Sequence, residues 1–201
     1  ALSSAASDVY KRQAPGGKSL HMADKMQGQG MVDARDLTDY KVGLIEENIE
    51  RTQTLNIRAH RKDATLLDKE SVEKADIVLA DVPCSGLGVI RRKPEIKYKN
   101  FEEFERLPEI QYKILENAVK YLKPGGELVY STCTVNPVEN VRVIDRFLKE
   151  YKNFKGVKFL EELGIPFGDY KVTLFPENLN SDGFFTVSYT HLRAHETPEH
   201  L

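Results

Sequence analysis

Apolar runs and polar gaps alternate through the middle of the chain. ADIVLAD, Ala75 to Asp81, is a short apolar run that predicts a buried strand, and ELVYST, Glu127 to Thr132, predicts another. GMVDARD, Gly30 to Asp36, predicts a short strand ending on a carboxylate, and Ile57 to Asp63 is a weaker strand that also ends in Asp. The intervals carry helical spacing. Val42, Ile45 and Ile49 share a face between Asp39 and Arg51; Ile110, Ile114, Ala118 and Leu122 share one between Glu109 and Leu122. Lys123-Pro124-Gly125-Gly126 should stop that second helix. Asn136-Pro137-Val138-Glu139 predicts a helix start, with Asn as cap, Pro in the first turn and Glu reaching back to the cap. That helix should run to about Tyr151 and bury Val138, Val141, Ile144 and Leu148. Lys171 to Phe175 and Gly183 to Thr186 predict a late antiparallel pair. Strands and helices alternate, so the expected fold class is α/β with a mostly parallel sheet.

In open parallel sheets, ligands bind beyond the carboxyl ends of the strands. Asp36, Asp63, Asp81 and Cys133 stand at such ends, and Cys84 follows Asp81 closely in DVPCSGLG. One rim therefore collects three carboxylates and both cysteines of the chain.

The 201 residues suffice for one domain with a real core. A 40% hydrophobic and 30% charged composition is that of a soluble globular protein, and no apolar run is long enough to span a membrane. Two cysteines make no disulfide framework, which favours a reduced, cytoplasmic setting. A net charge of −2 argues against a wholly basic nucleic-acid binder, so any RNA contact would use a local patch. Arg91, Arg92, Lys93, Lys97 and Lys99 form such a patch, with Tyr98 available to stack on a base. A solvated surface loop explains the same residues equally well.

Both ends look foreign. Residues 1–13, ALSSAASDVYKRQ, and 188–201, SYTHLRAHETPEHL, resemble translated sequencing adapters of the kind that flank fragmentary metagenomic genes. His191, His195 and His200 lie in this tail, where the spacing of the first two imitates a metal site; accidental histidines in a disordered tail are the simpler account, and no metal is expected. The expected domain is residues 14–187.

APGGK, Ala14 to Lys18, is a glycine turn before a helix start, SLHMADKM. Glycines let a backbone approach a ligand, and helix amides favour an anion. Asp36, at the end of the second strand, stands where an acid accepts hydrogen bonds from ribose hydroxyls, and Asp63 could accept from an adenine amino group. Singly each is an ordinary loop acid; with the glycine turn they describe a nucleoside pocket. A lone cysteine is usually a small buried hydrophobe. Two of two on one rim, beside Asp81, suggest reactive thiols, and a helix amino end near Cys133 would favour its thiolate.

DVPCSGLGVIRRKPEIK, KPGGELVYSTCTVNPVEN and SDGFF resemble the Sun-type RNA (cytosine-5) methyltransferases, over nearly all of residues 14–186 with the motifs in order. The resemblance implies a Rossmann-like fold, S-adenosylmethionine as cofactor, and RNA, with 16S rRNA foremost, as partner to a cytoplasmic monomer. It assigns Ala14, Pro15, Gly16, Gly17 and Lys18 to the cofactor loop, Asp36 to the ribose and Asp63 to the adenine. Asp81 falls at the junction of cofactor and target base. Cys133 matches the nucleophile and Cys84 the second cysteine, which helps release product. DNA cytosine-5 methyltransferases, whose nucleophile lies in a Pro-Cys turn, supply the rival assignment.

The family has an apolar strand and a Cys-Ala lead-in before APGGK, where this chain reads VYKRQ. The first, central strand is therefore expected to be missing or replaced, and the chain to fold poorly and bind cofactor weakly. Two alternatives stand beside this reading: an inactive RNA-binding or assembly module on the same fold, and a methyltransferase acting on tRNA.

Overall fold

The computed structural model describes residues 2–5, 16–158, 170–179 and 181–193. In chain order the elements are β1 (Leu2–Ala5), α1 (Gly17–Lys25), β2 (Val32–Asp36), α2 (Asp39–Thr52), β3 (Ile57–Arg61) and β4 (Ala75–Asp81). Then follow α3 (Phe101–Glu105), α4 (Leu107–Lys120), β5 (Leu122–Thr132), α5 (Val141–Glu150), β6 (Phe154–Gly156), β7 (Lys171–Leu174), α6 (Pro176–Leu179) and β8 (Phe184–His191). The strands form one sheet in the order β3-β2-β1-β4-β5-β8-β6, with β7 also paired to β8. The first five in that order are parallel; β8 runs antiparallel to β5, β6 and β7.

Helices cover both faces of the sheet, as a parallel sheet requires. On one face Val32, Ala34 and Ile57 pack with Ala23 of α1 and Ile45 of α2. On the other, Val78, Ala80, Leu128 and Tyr130 meet Leu115 and Ala118 of α4 and Ile144 and Phe147 of α5. Alternation along β2 divides its residues accordingly: Ala34 joins the first cluster, while Arg35 points across to Tyr121 at the end of α4.

The central place between β2 and β4, expected to be missing or replaced, is occupied by Leu2–Ala5. Ser3 stands opposite Ala34 on one side and Leu79 on the other. An empty slot there would leave two facing rows of backbone donors and acceptors unpaired, and that cost favours recruiting any short extended segment within reach. At the other end, β8 continues past position 187 through His191. His191 is thus a strand residue rather than part of a disordered tail. Its ring stacks on Phe154 at 4.9 Å and its Nε2 lies 2.9 Å from Asn153 Nδ2, because β6 gives this stretch of β8 a partner on its outer edge. His195 and His200, like Ala14 and Pro15, lie outside the described residues.

Three sequence readings shift. Leu122, expected in the helix, opens β5, and the strand runs through Lys123-Pro124-Gly125-Gly126. Ile110 is exposed on α4, whose buried face instead carries Gln111, Tyr112, Ile114, Leu115 and Ala118, since the helix is wedged between the sheet and α5. The helix expected from Asn136 begins only at Val141; a turn comes first, and Val138 is exposed. Among the described residues no helix is long and apolar enough to cross a membrane.

Candidate active site

β4 and β5 are neighbours in parallel register, with Asp81 opposite Ser131. Their carboxyl ends therefore deliver the Cys84 turn and the Cys133 turn side by side. The Sγ atoms of Cys84 and Cys133 lie 3.2 Å apart, and both thiols are free. Between the turns stands Asp81, which accepts a 2.9 Å hydrogen bond from Ser131 Oγ and pairs with the Lys18 ammonium. Lys18 in turn lies 5.7 Å from the centre of the Phe184 ring, tying the start of α1 to the SDGFF segment.

The two thiols differ in acidity. The hydrogen bond donated by Cys84 holds Cys133 below the ordinary thiol value; burial and the Asp81 charge oppose this, and Lys93 and Lys18 assist it. Cys84 is pushed well up, first by that same bond to Cys133 and then by burial. The bond between them thus favours ionisation of Cys133 over ionisation of Cys84. The helix amino end invoked from sequence is not among these causes, since α5 starts well beyond Cys133.

A close backbone contact fixes the turns. Gly88 N donates to Cys133 O at 3.0 Å, and Gly183 N donates to Gly88 O at 2.8 Å. A Cβ on Gly88 would stand 2.0 Å from Gly183 O, so neither the PCSGLG turn nor the SDG turn can carry a side chain at that crossing. Arg92 Nε reaches Asp182 Oδ2 at 3.0 Å and closes the same seam.

Below the thiols lies a polar cluster that the sequence reading missed. Glu139, read as a helix cap, is fully buried and takes four donors on its two carboxylate oxygens. Ser85 N and Gln111 Nε2 donate to Oε2 at 2.8 and 3.0 Å; Ser85 Oγ and Asn136 Nδ2 donate to Oε1 at 2.5 and 2.9 Å. Only the Asn136 contact is local. Ser85 and Gln111 are far away in sequence, so no periodicity or capping rule could have announced them. Buried Asn140 stitches the second turn to itself, accepting from Thr132 Oγ1 at 2.7 Å and donating to Thr134 O at 2.9 Å.

The residues expected to hold the cofactor lie at the ends of β2 and β3 and the start of α1. Gly16 caps α1 with φ 92°, a left-handed conformation that suits glycine, and Gly17 opens the helix. Asp36 is 2% exposed and receives backbone hydrogen bonds from Thr38 N, at 3.4 Å, and from Leu37, with Lys41 Nζ 3.9 Å away. Burial holds its carboxyl above the usual range. A buried carboxylate with acceptor capacity to spare fits a ligand that brings donors, such as a ribose diol. Asp63 Oδ1 accepts from Thr65 N and Oγ1 at 2.9 and 2.6 Å, which makes it a turn former as well. Asp63 also borders a cavity floored by Val78, Ile114 and Ala118, with Arg35 on its wall. This cavity lies beside Asp63 rather than at the thiols. Arg35, unremarked in sequence, is held by Asp33 at 2.6 Å, Ser71 Oγ at 2.6 Å and Asp68 at 3.3 Å.

The basic segment is not an open loop. It folds into 3₁₀ turns over Leu87–Val89 and Pro94–Tyr98, pinned by buried Ile96. Arg91, Lys97 and Tyr98 point outward, with Tyr98 88% exposed, whereas Arg92 is engaged by Asp182. Among the described residues no cluster of His, Cys, Asp and Glu is arranged to hold a metal.

A family model for 16S rRNA methyltransferase RsmB/F matches residues 11–190. The chain is 42% identical over 182 residues to the probable ribosomal RNA small subunit methyltransferase B of Bacillus subtilis (strain 168), covering 87% of this chain and 41% of that one. It is 32% identical over 189 residues to ribosomal RNA small subunit methyltransferase F of Shewanella loihica, covering 90% and 38%. It thus spans about two fifths of the length of these curated relatives. Among solved structures, NSun6 from Pyrococcus horikoshii with SFG matches at 25% identity and a TM-score of 0.72, over 96% of this chain and 47% of that one. Solved S-adenosylmethionine-dependent methyltransferases share the fold at lower identity. The Rossmann-like architecture is therefore that of the S-adenosylmethionine-dependent methyltransferases, and S-adenosylmethionine is the cofactor that family and fold both indicate. The chain belongs to the 16S rRNA methyltransferase RsmB/F family.

Proposed function

We propose that this chain methylates carbon 5 of a cytosine in RNA, with 16S rRNA as the substrate, through a transient bond between Cys133 and carbon 6 of the ring. The observation that carries the reading is the pair of thiols 3.2 Å apart with opposite acidities, beside Asp81. In this proposal the methyltransferase unit is residues 14–187 together with strand residues 2–5 and 188–191, which complete its sheet, acting as a cytoplasmic monomer.

Gly16, Gly17 and Lys18, with Ala14 and Pro15, would hold the cofactor's methionine end; Asp36 would take the ribose and Asp63 the adenine. When bound, S-adenosylmethionine supplies an electrophilic methyl group. Carbon 5 of cytosine is too weak a nucleophile to use it unaided. Addition of the Cys133 thiolate at carbon 6 makes the ring an enamine, with carbon 5 as its nucleophilic position. Nitrogen 3 takes up a proton from water as the thiolate adds, and Asp81, oriented by Ser131 and Lys18, accepts a hydrogen bond from the N–H so formed and favours the adduct.

The adduct resolves when the proton on carbon 5 leaves and the carbon–sulfur bond breaks. The coupling of the two thiols suits Cys84 to this step. Once Cys133 sulfur is bonded to carbon, its charge is gone. The largest influence holding the Cys84 proton in place goes with it. Cys84 can then release that proton to water and, as a thiolate, take the proton from carbon 5; the C5–H electron pair re-forms the C5–C6 double bond, Cys133 leaves as a thiolate, and nitrogen 3 returns its proton to water. The target base must be unstacked for both faces to be reached, and Arg91, Arg92, Lys93 and Lys97 would hold flanking phosphate while Tyr98 stacks on a base.

The test is product identification. The chain is incubated with methyl-labelled S-adenosylmethionine and unmodified 16S rRNA or tRNA, and the RNA is digested to nucleosides. Label in 5-methylcytidine from 16S rRNA is expected. Label in another nucleoside contradicts the chemistry, label confined to tRNA contradicts the substrate, and bound but unlabelled RNA identifies an inactive module.

A further inference from the structure

We infer that Glu139 is the positioning residue of the thiol pair: it clamps the Cys84 turn onto the Cys133 turn and so sets the separation between the two sulfurs. The inference rests on the two-thiol reading above and deepens it.

Three features of the cluster point this way. First, its partners are the residues next to the cysteines. Ser85 follows Cys84 and gives Glu139 both its amide and its hydroxyl; Thr134 follows Cys133, and its hydroxyl lies 2.8 Å from Ser85 Oγ. Gln111 completes the clamp from α4, donating to Glu139 and also to Pro83 O at 2.9 Å, just before Cys84. Second, the carboxylate is saturated. An ionised carboxylate accepts about four hydrogen bonds, and four donors converge here. A glutamine in the same place would turn two of its own N–H groups toward donors. Third, the site is costly. A fully buried charge costs several kcal/mol unless every lone pair is met, and an apolar residue would fill the space without that cost. What an apolar residue cannot do is grip two turns from separate strands in one geometry. The carboxylate also contributes to keeping the proton on Cys84.

Substituting Glu139→Gln tests this with neither RNA nor cofactor. Diamide is added to the wild-type chain and the variant, and formation of a Cys84–Cys133 disulfide is timed by mass spectrometry; diamide takes up the two electrons and two protons the thiols lose. Alkylation of Cys133 by iodoacetamide is followed against pH in the same samples. Disulfide formation about tenfold slower in the variant is expected, as a displacement of about 1 Å between reacting groups readily gives, with the alkylation midpoint moved upward. A purely structural Glu139 would lower the unfolding midpoint yet leave both thiol readouts unchanged below it. A folded variant with wild-type disulfide rate and alkylation profile overturns the inference. Should Glu139→Gln fail to unfold cooperatively, Ser85→Ala carries the test: slower disulfide formation supports the inference and an unchanged rate overturns it. Because these readouts need no methyl transfer, failure of the wild-type chain to methylate cytosine would count against the proposed function alone.

Discussion

The sulfur of Cys84 lies 3.2 Å from the sulfur of Cys133, and the contact lowers the acidity of Cys84 while raising that of Cys133. Cys84→Ala removes the bond that most lowers Cys133. In that variant the midpoint for alkylation of Cys133 should rise, since burial and the Asp81 charge then act with less opposition. With cofactor and RNA present, the same variant should accumulate a covalent protein–RNA adduct, visible as a slow band on a denaturing gel. Cys133→Ala should give neither adduct nor product. An adduct in the Cys133 variant and none in the Cys84 variant would reverse the two roles.

Asp36 connects stability with cofactor binding. Burial raises its folded value, so its ionisation opposes folding: the associated stability is full below the ordinary carboxylate range and lost as pH rises through the folded value. At neutral pH the wild-type chain has already lost it. Asp36→Asn keeps an acceptor for Thr38 N and removes the charge. The cofactor-free variant should therefore melt a few degrees higher at pH 7 and gain nothing at pH 3, and any upward shift with S-adenosylmethionine should be smaller than in the wild type. A variant that melts lower at pH 7, or shifts as far with cofactor as the wild type, would contradict this role.

At the seam between the PCSGLG and SDG turns, Gly88→Ala should cost about 1–3 kcal/mol or more, since the new methyl meets backbone on both sides. Denaturant titration measures this. A change under ~0.5 kcal/mol would mean that the two turns are not in contact.

Most of the architecture was legible because it depends on local pattern. The runs at Ala75–Asp81 and Glu127–Thr132 could only be strands, and their shared direction placed Asp81 and Cys133 on one rim. What was not legible depends on distant partners. Glu139 reads as a partner of the Asn136 cap until Ser85 and Gln111 arrive from elsewhere in the chain, and nothing local marks Arg35, which Asp68 and Tyr121 enclose. A missing or replaced first strand was expected from VYKRQ before APGGK; which residues replace it was not legible, because LSSA has little strand character of its own and is placed by pairing with β2 and β4.

That strand makes a separate prediction. Ser4 pairs with Arg35 on one side and Ala80 on the other. A proline in a central strand removes a ladder donor and clashes with its neighbours. Ser4→Pro should lower the midpoint of thermal unfolding by well over ~4 °C. An unchanged midpoint would show that residues 2–5 do not complete the sheet.

The most direct measurement is to offer the chain RNA in which the target cytosine is replaced by 5-azacytidine, which retains an attacking nucleophile because no proton can leave position 5. Digestion and mass spectrometry then locate the crosslinked residue. The nucleotide is expected on the peptide containing Cys133, joined through its sulfur. A crosslink on Cys84, or on any other side chain, would contradict the account.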